Sequence, residues 1–354
     1  MAARILVRKV IRDFGRLAAT LLAAFVGGWL ASHAHVPLPW LLGSMFGVAC
    51  ISMAGFVHKQ PKRARQGAQI YIGTTLGLFF TPIVLGQIAG LAIWMVLGAL
   101  TGLVMSALSA RALQRLARLD GSTAIYAVAL GASAEMSAQA QKAGADAAVV
   151  ASAHAVRILM VTFVATMIAW ASGAPAVTPS AGAVILSLPM VMVLLAVAAS
   201  VGYILNKFKS PNPWVLGAIM VGGACAAYGM PERLPNEGLL AAQLVIGWGL
   251  GQHINRAFFT RAPRTLAAVA VVTLGILAVC MAMAWVIAFG AHLPVLTAFL
   301  SMAPGGMTEM AVISKSFGLG APVVTSFHIT RVLTTIFVTQ PMAKVMLDRG
   351  WVKR

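Results

Sequence analysis

The sequence is short of acid: only 8 of its 354 residues are Asp or Glu, against 26 Lys or Arg. Charged residues of both signs make up 10% of the chain, far below the roughly 25% usual in soluble domains. So little charge excludes an ordinary water-soluble fold. Cysteine is scarce as well. Cys50, Cys225 and Cys280 stand singly in apolar surroundings, without CxxC or metal-ligand spacing, which excludes a disulfide framework and a zinc module. There is no HExxH, no nucleophile elbow and no phosphate-binding glycine loop, so hydrolase and ATP-driven classes find no support. No polar stretch approaches domain size, so the net charge of +18 does not belong to a basic nucleic-acid-binding domain.

What is present is hydrocarbon. Sixty per cent of the residues are hydrophobic and the mean hydropathy is +0.89. Apolar runs long enough to cross a bilayer recur along the whole chain, while the short alternating strands of a membrane β-barrel are absent. The expected fold class is therefore all-α and polytopic. Of the 26 basic residues, 21 fall in 1–16, 59–65, 111–118, 207–209, 256–264 and 344–354, between the apolar runs. That is the distribution of cytoplasmic loops and tails under the positive-inside rule. The basic start followed by an apolar run to Ala31-Ser32-His33-Ala34 resembles a signal peptide. The same segment recurs at 182–205, where no signal could operate, so cleavage is not expected.

The chain repeats itself at an offset of 174. Pro37, Pro39, Trp40 and Gly43 match Pro211, Pro213, Trp214 and Gly217. Gln69, Gly73 and Gly77 match Gln243, Gly247 and Gly251; Glu135 and Met136 match Glu309 and Met310; His154 and Arg157 match His328 and Arg331. No gap is needed over about 125 residues. The expected organisation is a cytoplasmic N-terminus over 1–16, a membrane repeat over 17–171, a linker over 172–181, a second repeat over 182–343 and a cytoplasmic tail over 344–354.

Each repeat holds six apolar segments, but the basic loops require an odd number of crossings per repeat. Five crossings plus one re-entrant or broken segment satisfy that count. The irregular segments are then 121–141 and 294–316, and the two repeats come out inverted. Inverted repeats with interrupted helices are the plan of many secondary transporters, whose sites lie where the breaks meet. Pro304-Gly305-Gly306 and the Gly/Ala/Ser run 131–134 suit such breaks, and the Pro-x-Pro-Trp pairs suit helix starts.

Acids embedded in apolar segments are costly and usually line pathways, which singles out Glu135 and Glu309. Each is followed by a His-x-x-Arg, His154 with Arg157 and His328 with Arg331, one turn apart on one helix face. An arginine there needs an acid, backbone carbonyls or an anionic ligand, and a histidine could relay protons. The bland alternative pairs each glutamate with its arginine as structural neutralisation. Gly305, Gly306 and Thr308 complete the second candidate element, and Gln69 and Gln243 are polar candidates on helices that also carry close-packing glycines.

These motifs resemble the AbrB-type family of duplicated membrane proteins. The residues that carry the likeness are Pro37-Leu38-Pro39-Trp40-Leu41-Leu42-Gly43, its copy at 211–217, and Pro304-Gly305-Gly306-Met307-Thr308-Glu309-Met310. Members are often labelled regulators or ammonia monooxygenases, and the family is similar in plan to inverted-repeat transporters. The expected location is the bacterial inner membrane, as a multi-pass protein whose basic ends put both termini in the cytoplasm. The first copy departs from the motif, with Leu130 and Ala132 in place of the proline and the second glycine. The expected function is ion-coupled secondary transport of a small solute, anionic ones included, without cofactor, metal or enzymatic activity. A ligand sensor that regulates gene expression is the alternative, and a membrane oxygenase is third. The expected partners are the solute and the bilayer, with a homodimer left open.

Overall fold

The computed structural model describes residues 2–131, 133–174, 185–230, 233–254, 256 and 263–352. Most of the expected linker, the last two residues of the tail and Ala132 in the first break lie outside the described residues. The chain is all-helical, and among the described residues the only extended pairing is one isolated bridge between Ile185 and Arg233.

The first half contributes α1 (Ala2–His33), α2 (Pro39–Met53), α3 (Lys62–Gly77), α4 (Pro82–Gly90) and α5 (Ala92–Ala117). It continues with α6 (Gly121–Val128), α7 (Ser133–Lys142) and α8 (Ala147–Ala171). The second half contributes α9 (Leu188–Lys207), α10 (Pro213–Ala227), α11 (Asn236–Gly251) and α12 (Pro263–Ala291). It ends with α13 (Val295–Met302), α14 (Met307–Ser316) and α15 (Ala321–Asp348). Among the described residues six helices are long and apolar enough to cross a membrane: Arg12–His33 of α1, then α5, α8, α9, α12 and α15. A seventh span is available if α3 and α4, bent by 90°, count as one. The chain is a multi-pass helical membrane protein.

The offset of 174 holds in the helix boundaries. Adding 174 to the limits of α2, α3, α6 and α7 gives those of α10, α11, α13 and α14. The turn chemistry repeats too. Leu38 and Asn212, the residues before the helix-starting prolines, both adopt the left-handed conformation, with φ of 50° and 45°. A proline disfavours the right-handed helical conformation in the residue before it, and the left-handed one is strained for a side chain such as leucine. The same strain at the same place in both halves reflects one inherited way of starting the helix.

By contacts between residues the chain divides into two compact units, and these cut across the repeats. The first holds Met1–Tyr71 and Pro235–Arg261, and in it α11 packs on α2. The approach is close enough to need glycine: a methyl group on Gly247 would lie 2.4 Å from Leu41 O, and one on Gly251 would lie 2.3 Å from Met45 O. The loop after α2 is tied down within this unit, where Trp248 Nε1 donates to His58 O at 3.0 Å and Gln60 N donates to Gln252 Oε1 at 2.7 Å.

The second unit holds Ile72–Leu234 and Ala262–Arg354. Within it, a methyl on Gly73 would meet Val215 O at 2.7 Å and one on Gly77 would meet Ile219 O at 2.6 Å. These pairs are the offset copies of Gly247 with Leu41 and Gly251 with Met45. The third helix of each repeat thus packs on the second helix of the other. The exchange explains why compact units and sequence repeats do not coincide.

Candidate functional site

Both expected irregular segments are broken helices. The first runs as α6, a gap at 129–132 and α7; the second runs as α13, a gap at 303–306 and α14. Every helix end leaves carbonyls or amides without an internal partner, and these need satisfaction away from water. The two half-helices of the first segment both pack on α8, and those of the second both pack on α15. Those are the helices that carry the His-x-x-Arg pairs.

The pairs close the carbonyl end of the first half-helix. His154 Nε2 lies 2.9 Å from Tyr126 O, while Arg157 Nη1 donates to Val128 O at 3.3 Å and to Ala129 O at 3.0 Å. In the second copy, His328 Nε2 lies 2.9 Å from Leu300 O, and Arg331 Nη1 donates to Met302 O at 3.2 Å and Ala303 O at 2.7 Å. Spacing of three puts the imidazole and the guanidinium one turn apart, which matches the interval between the carbonyls they serve. A positive charge also complements the negative end of a helix dipole.

The imidazole tautomer follows from these contacts. A carbonyl oxygen only accepts, so Nε2 carries the hydrogen in both histidines. Nδ1 is then the acceptor, and it receives a hydrogen from Arg157 Nη2 at 3.1 Å and from Arg331 Nη2 at 2.9 Å. Both ring nitrogens are occupied in each copy. A second proton on Nδ1 would point at an arginine N–H. The geometry makes His154 and His328 holders of the arginines and leaves no vacant nitrogen for a proton relay.

The arginines are 4% and 5% exposed, and each donates to backbone oxygens and to an imidazole nitrogen. Arg331 Nη2 makes one further bond, to Gly305 O at 3.3 Å. In both copies Nε is buried without a partner. A methyl group on Gly102 of α5 would touch Leu130 of the first break and the aliphatic stem of Arg331, so the second unit brings the two breaks together.

The carboxylates serve the other side of each gap. Glu135 and Glu309 lie in the first turns of α7 and α14, where a negative charge suits the amide end of a helix. Glu309 is buried, at the third position after its N-cap Gly306, and its carboxylate lies over that glycine. Glu135 is only half-buried. Thr308 is buried beside Glu309, and Met136 and Met310 fold under Gly131 and Gly305 as matched plugs. Gln69 and Gln243 are buried too, but both belong to the first unit, whereas the other candidate residues belong to the second.

Sequence reading missed four contributors. Ser106 of α5 donates to Gly102 O at 2.9 Å and reaches Val128 O at 3.5 Å; its offset copy Cys280 reaches Met302 O at 3.4 Å. Each therefore shares a carbonyl with the arginine of its copy. The signal was a small polar side chain at equal positions, hidden because the residue type differs. Asp120 and Asp146 cap α6 and α8, and Asp146 N donates to Thr123 Oγ1 at 2.9 Å. Among the described residues no three His, Cys, Asp or Glu side chains gather as a metal-binding group.

Duplicated broken helices, with their carbonyl ends held by buried arginines, define a class of internally repeated membrane protein. The profile of the family described as transition state regulatory protein AbrB matches residues 40–347, and the chain belongs to that family. It is similar to a proposed regulator named AbrB in Escherichia coli (strain K12), 29% identical over 324 residues and covering 89% of this chain and 90% of the relative. It is also similar to the uncharacterized protein YhjN of Bacillus subtilis (strain 168), 24% identical over 347 residues, with 90% of each covered.

Proposed function

We propose that this protein is an ion-coupled secondary transporter of the bacterial inner membrane, moving a small solute by alternating access around the two breaks. The observation that carries the reading is the paired construction in the second unit. Two interrupted helices each present a carbonyl end held by an arginine and an amide end carrying a glutamate. Interrupted backbone at membrane depth is otherwise expensive, and it is tolerated only where it is buried in protein or lines a water-filled cavity. Exposed amide ends suit anionic groups of a solute. In this reading the repeats are inverted, the basic segments and both termini are cytoplasmic, and Glu135 and Glu309 carry the coupling ion.

The environments of the two glutamates support an alternating scheme. The helix of Glu135 is polar, with Ser133, Ser137, Gln139 and Gln141, and it is partly exposed. The helix of Glu309 is buried over residues 307–314. Copies of one element in unequal environments are what one end state of a two-state transporter requires.

The test is solute uptake into proteoliposomes of the full-length protein under imposed ion gradients. Uptake is expected for the wild type, with Glu309→Gln and Glu135→Gln each lowering it at least tenfold. Saturable binding without flux under any gradient would favour the second reading, a ligand sensor, which the regulator names of the family and of one relative support.

A further inference from the structure

In inverted-repeat transporters, sodium is held by unwound carbonyls and the carbonyl ends of half-helices at the break. Here those oxygens are already in use. Val128 and Ala129 O accept from Arg157, and Met302, Ala303 and Gly305 O accept from Arg331, at 2.7–3.3 Å. Tyr126 and Leu300 O face the Nε2 hydrogens of His154 and His328. A sodium ion binding the same oxygens would sit against a guanidinium that stays charged at any physiological pH.

We propose that Arg157 and Arg331 are tethered cations occupying the oxygen sites at both breaks, so that sodium is excluded there and protons on Glu135 and Glu309 are the coupling ion. This rests on the transport reading above. The elements packed against α7 and α14 are α6, α8, α13 and α15. Their ionisable groups are Tyr126 on α6, His154 and Arg157 on α8, and His328, Arg331, Lys344 and Asp348 on α15; α13 has none. The histidines are held neutral by their contacts and the arginines keep their charge. Lys142 and Lys315 lie about two turns along α7 and α14 from the glutamates. The glutamates are therefore the groups next to the breaks that can take and release a proton. The step is the transfer of a proton from water to a carboxylate oxygen on one side and its return to water on the other.

The experiment uses the full-length protein in three arms. In thermal unfolding in detergent, replacing potassium by sodium at constant ionic strength is expected to leave the wild-type midpoint unchanged, whereas Arg331→Met, which frees the oxygens, gains a sodium-specific rise. A saturable sodium-specific rise in the wild type that is lost in Glu309→Gln overturns the proposal, whether or not the arginine variant folds. Infrared difference spectra between acidic and alkaline buffer are expected to show a protonated-carboxyl band that shrinks in Glu135→Gln and again in Glu309→Gln. A band unaffected by either substitution overturns the proton role. In proteoliposomes, solute uptake driven by a proton gradient with sodium absent supports the proposal. Uptake that requires sodium overturns it and leaves the transport reading standing. No uptake under either gradient overturns the transport reading and the coupling role together, while sodium exclusion is still decided by unfolding.

Discussion

The break after α6 and the break after α13 are the same device closed to different degrees. Both end a half-helix on a histidine and an arginine three residues apart. The second adds the Arg331–Gly305 bond, a proline entering the gap, a second glycine under the glutamate and a following helix buried over 307–314. The first has Leu130 and Ala132 at the motif positions and a following helix that is polar and partly exposed. The comparison teaches that the arginine–histidine lock is the shared requirement, while the surroundings of the glutamate are what diverged. A duplicated element that kept its lock and its acid, and varied only the surroundings of that acid, holds two unequal sites.

The largest effect is expected from opening the locks. Arg331→Met keeps the side chain's bulk but strips three carbonyls and an imidazole nitrogen of their donor. Leaving such a buried polar cluster half-satisfied should cost about 3–5 kcal/mol, read as a lower unfolding midpoint in detergent. Arg157→Met should cost about 1 kcal/mol less, because it lacks the contact that Arg331 makes with Gly305. Equal costs would mean that the extra bond contributes nothing and that the second break is no more firmly closed than the first.

A smaller effect on stability, with a larger one on function, is expected at Gly306. A methyl group there would lie 1.9 Å from Glu309 Oε2. That oxygen ends a flexible side chain, so Gly306→Ala should displace the carboxylate and leave the helix in place, costing about 1 kcal/mol. Uptake should nonetheless fall toward the level of Glu309→Gln. The offset position in the first copy already holds Ala132, so Ala132→Gly should leave uptake within about twofold of wild type, well under 1 kcal/mol in barrier height. If Gly306→Ala transports normally, the position of the Glu309 carboxylate is not what the second glycine protects.

Much of the fold was legible because its signals are local and repeated. Proline before tryptophan marked the starts of α2 and α10, and the offset of 174 read between residues reappears between helix limits, to the residue for four pairs. The two breaks were readable from Gly305 and Gly306 and from the small residues 131–134. The jobs of the side chains were less so. His154 and Arg157 were recognised as a pair, but their carbonyl partners lie 28 and 29 residues away along the chain, and sequence spacing does not say which way a guanidinium points. The close packing of Gly73 and Gly247 was foreseen as a type of contact. The exchange of third helices between repeats was not, because a pattern shared by both halves cannot show which copy it packs against.

The smallest effect on stability is expected where the two copies differ in one atom. Ser106 and Cys280 are buried at equal positions, each against the carbonyl that its arginine holds. Exchanging them, as Ser106→Cys or Cys280→Ser, alters volume little and should cost under about 1 kcal/mol. Their value is as reporters. With Cys50 and Cys225 replaced by serine, the chain carries one thiol at the second break, and adding Ser106→Cys with Cys280→Ser moves it to the first. Both thiols should resist a membrane-permeant maleimide while the locks are closed. If the breaks open in turn, a condition that speeds labelling at one position should slow it at the other, since a single equilibrium governs both. Parallel acceleration at the two positions would show that the breaks loosen together, and the asymmetry between Glu135 and Glu309 would then be a fixed difference between the copies, unrelated to a transport cycle.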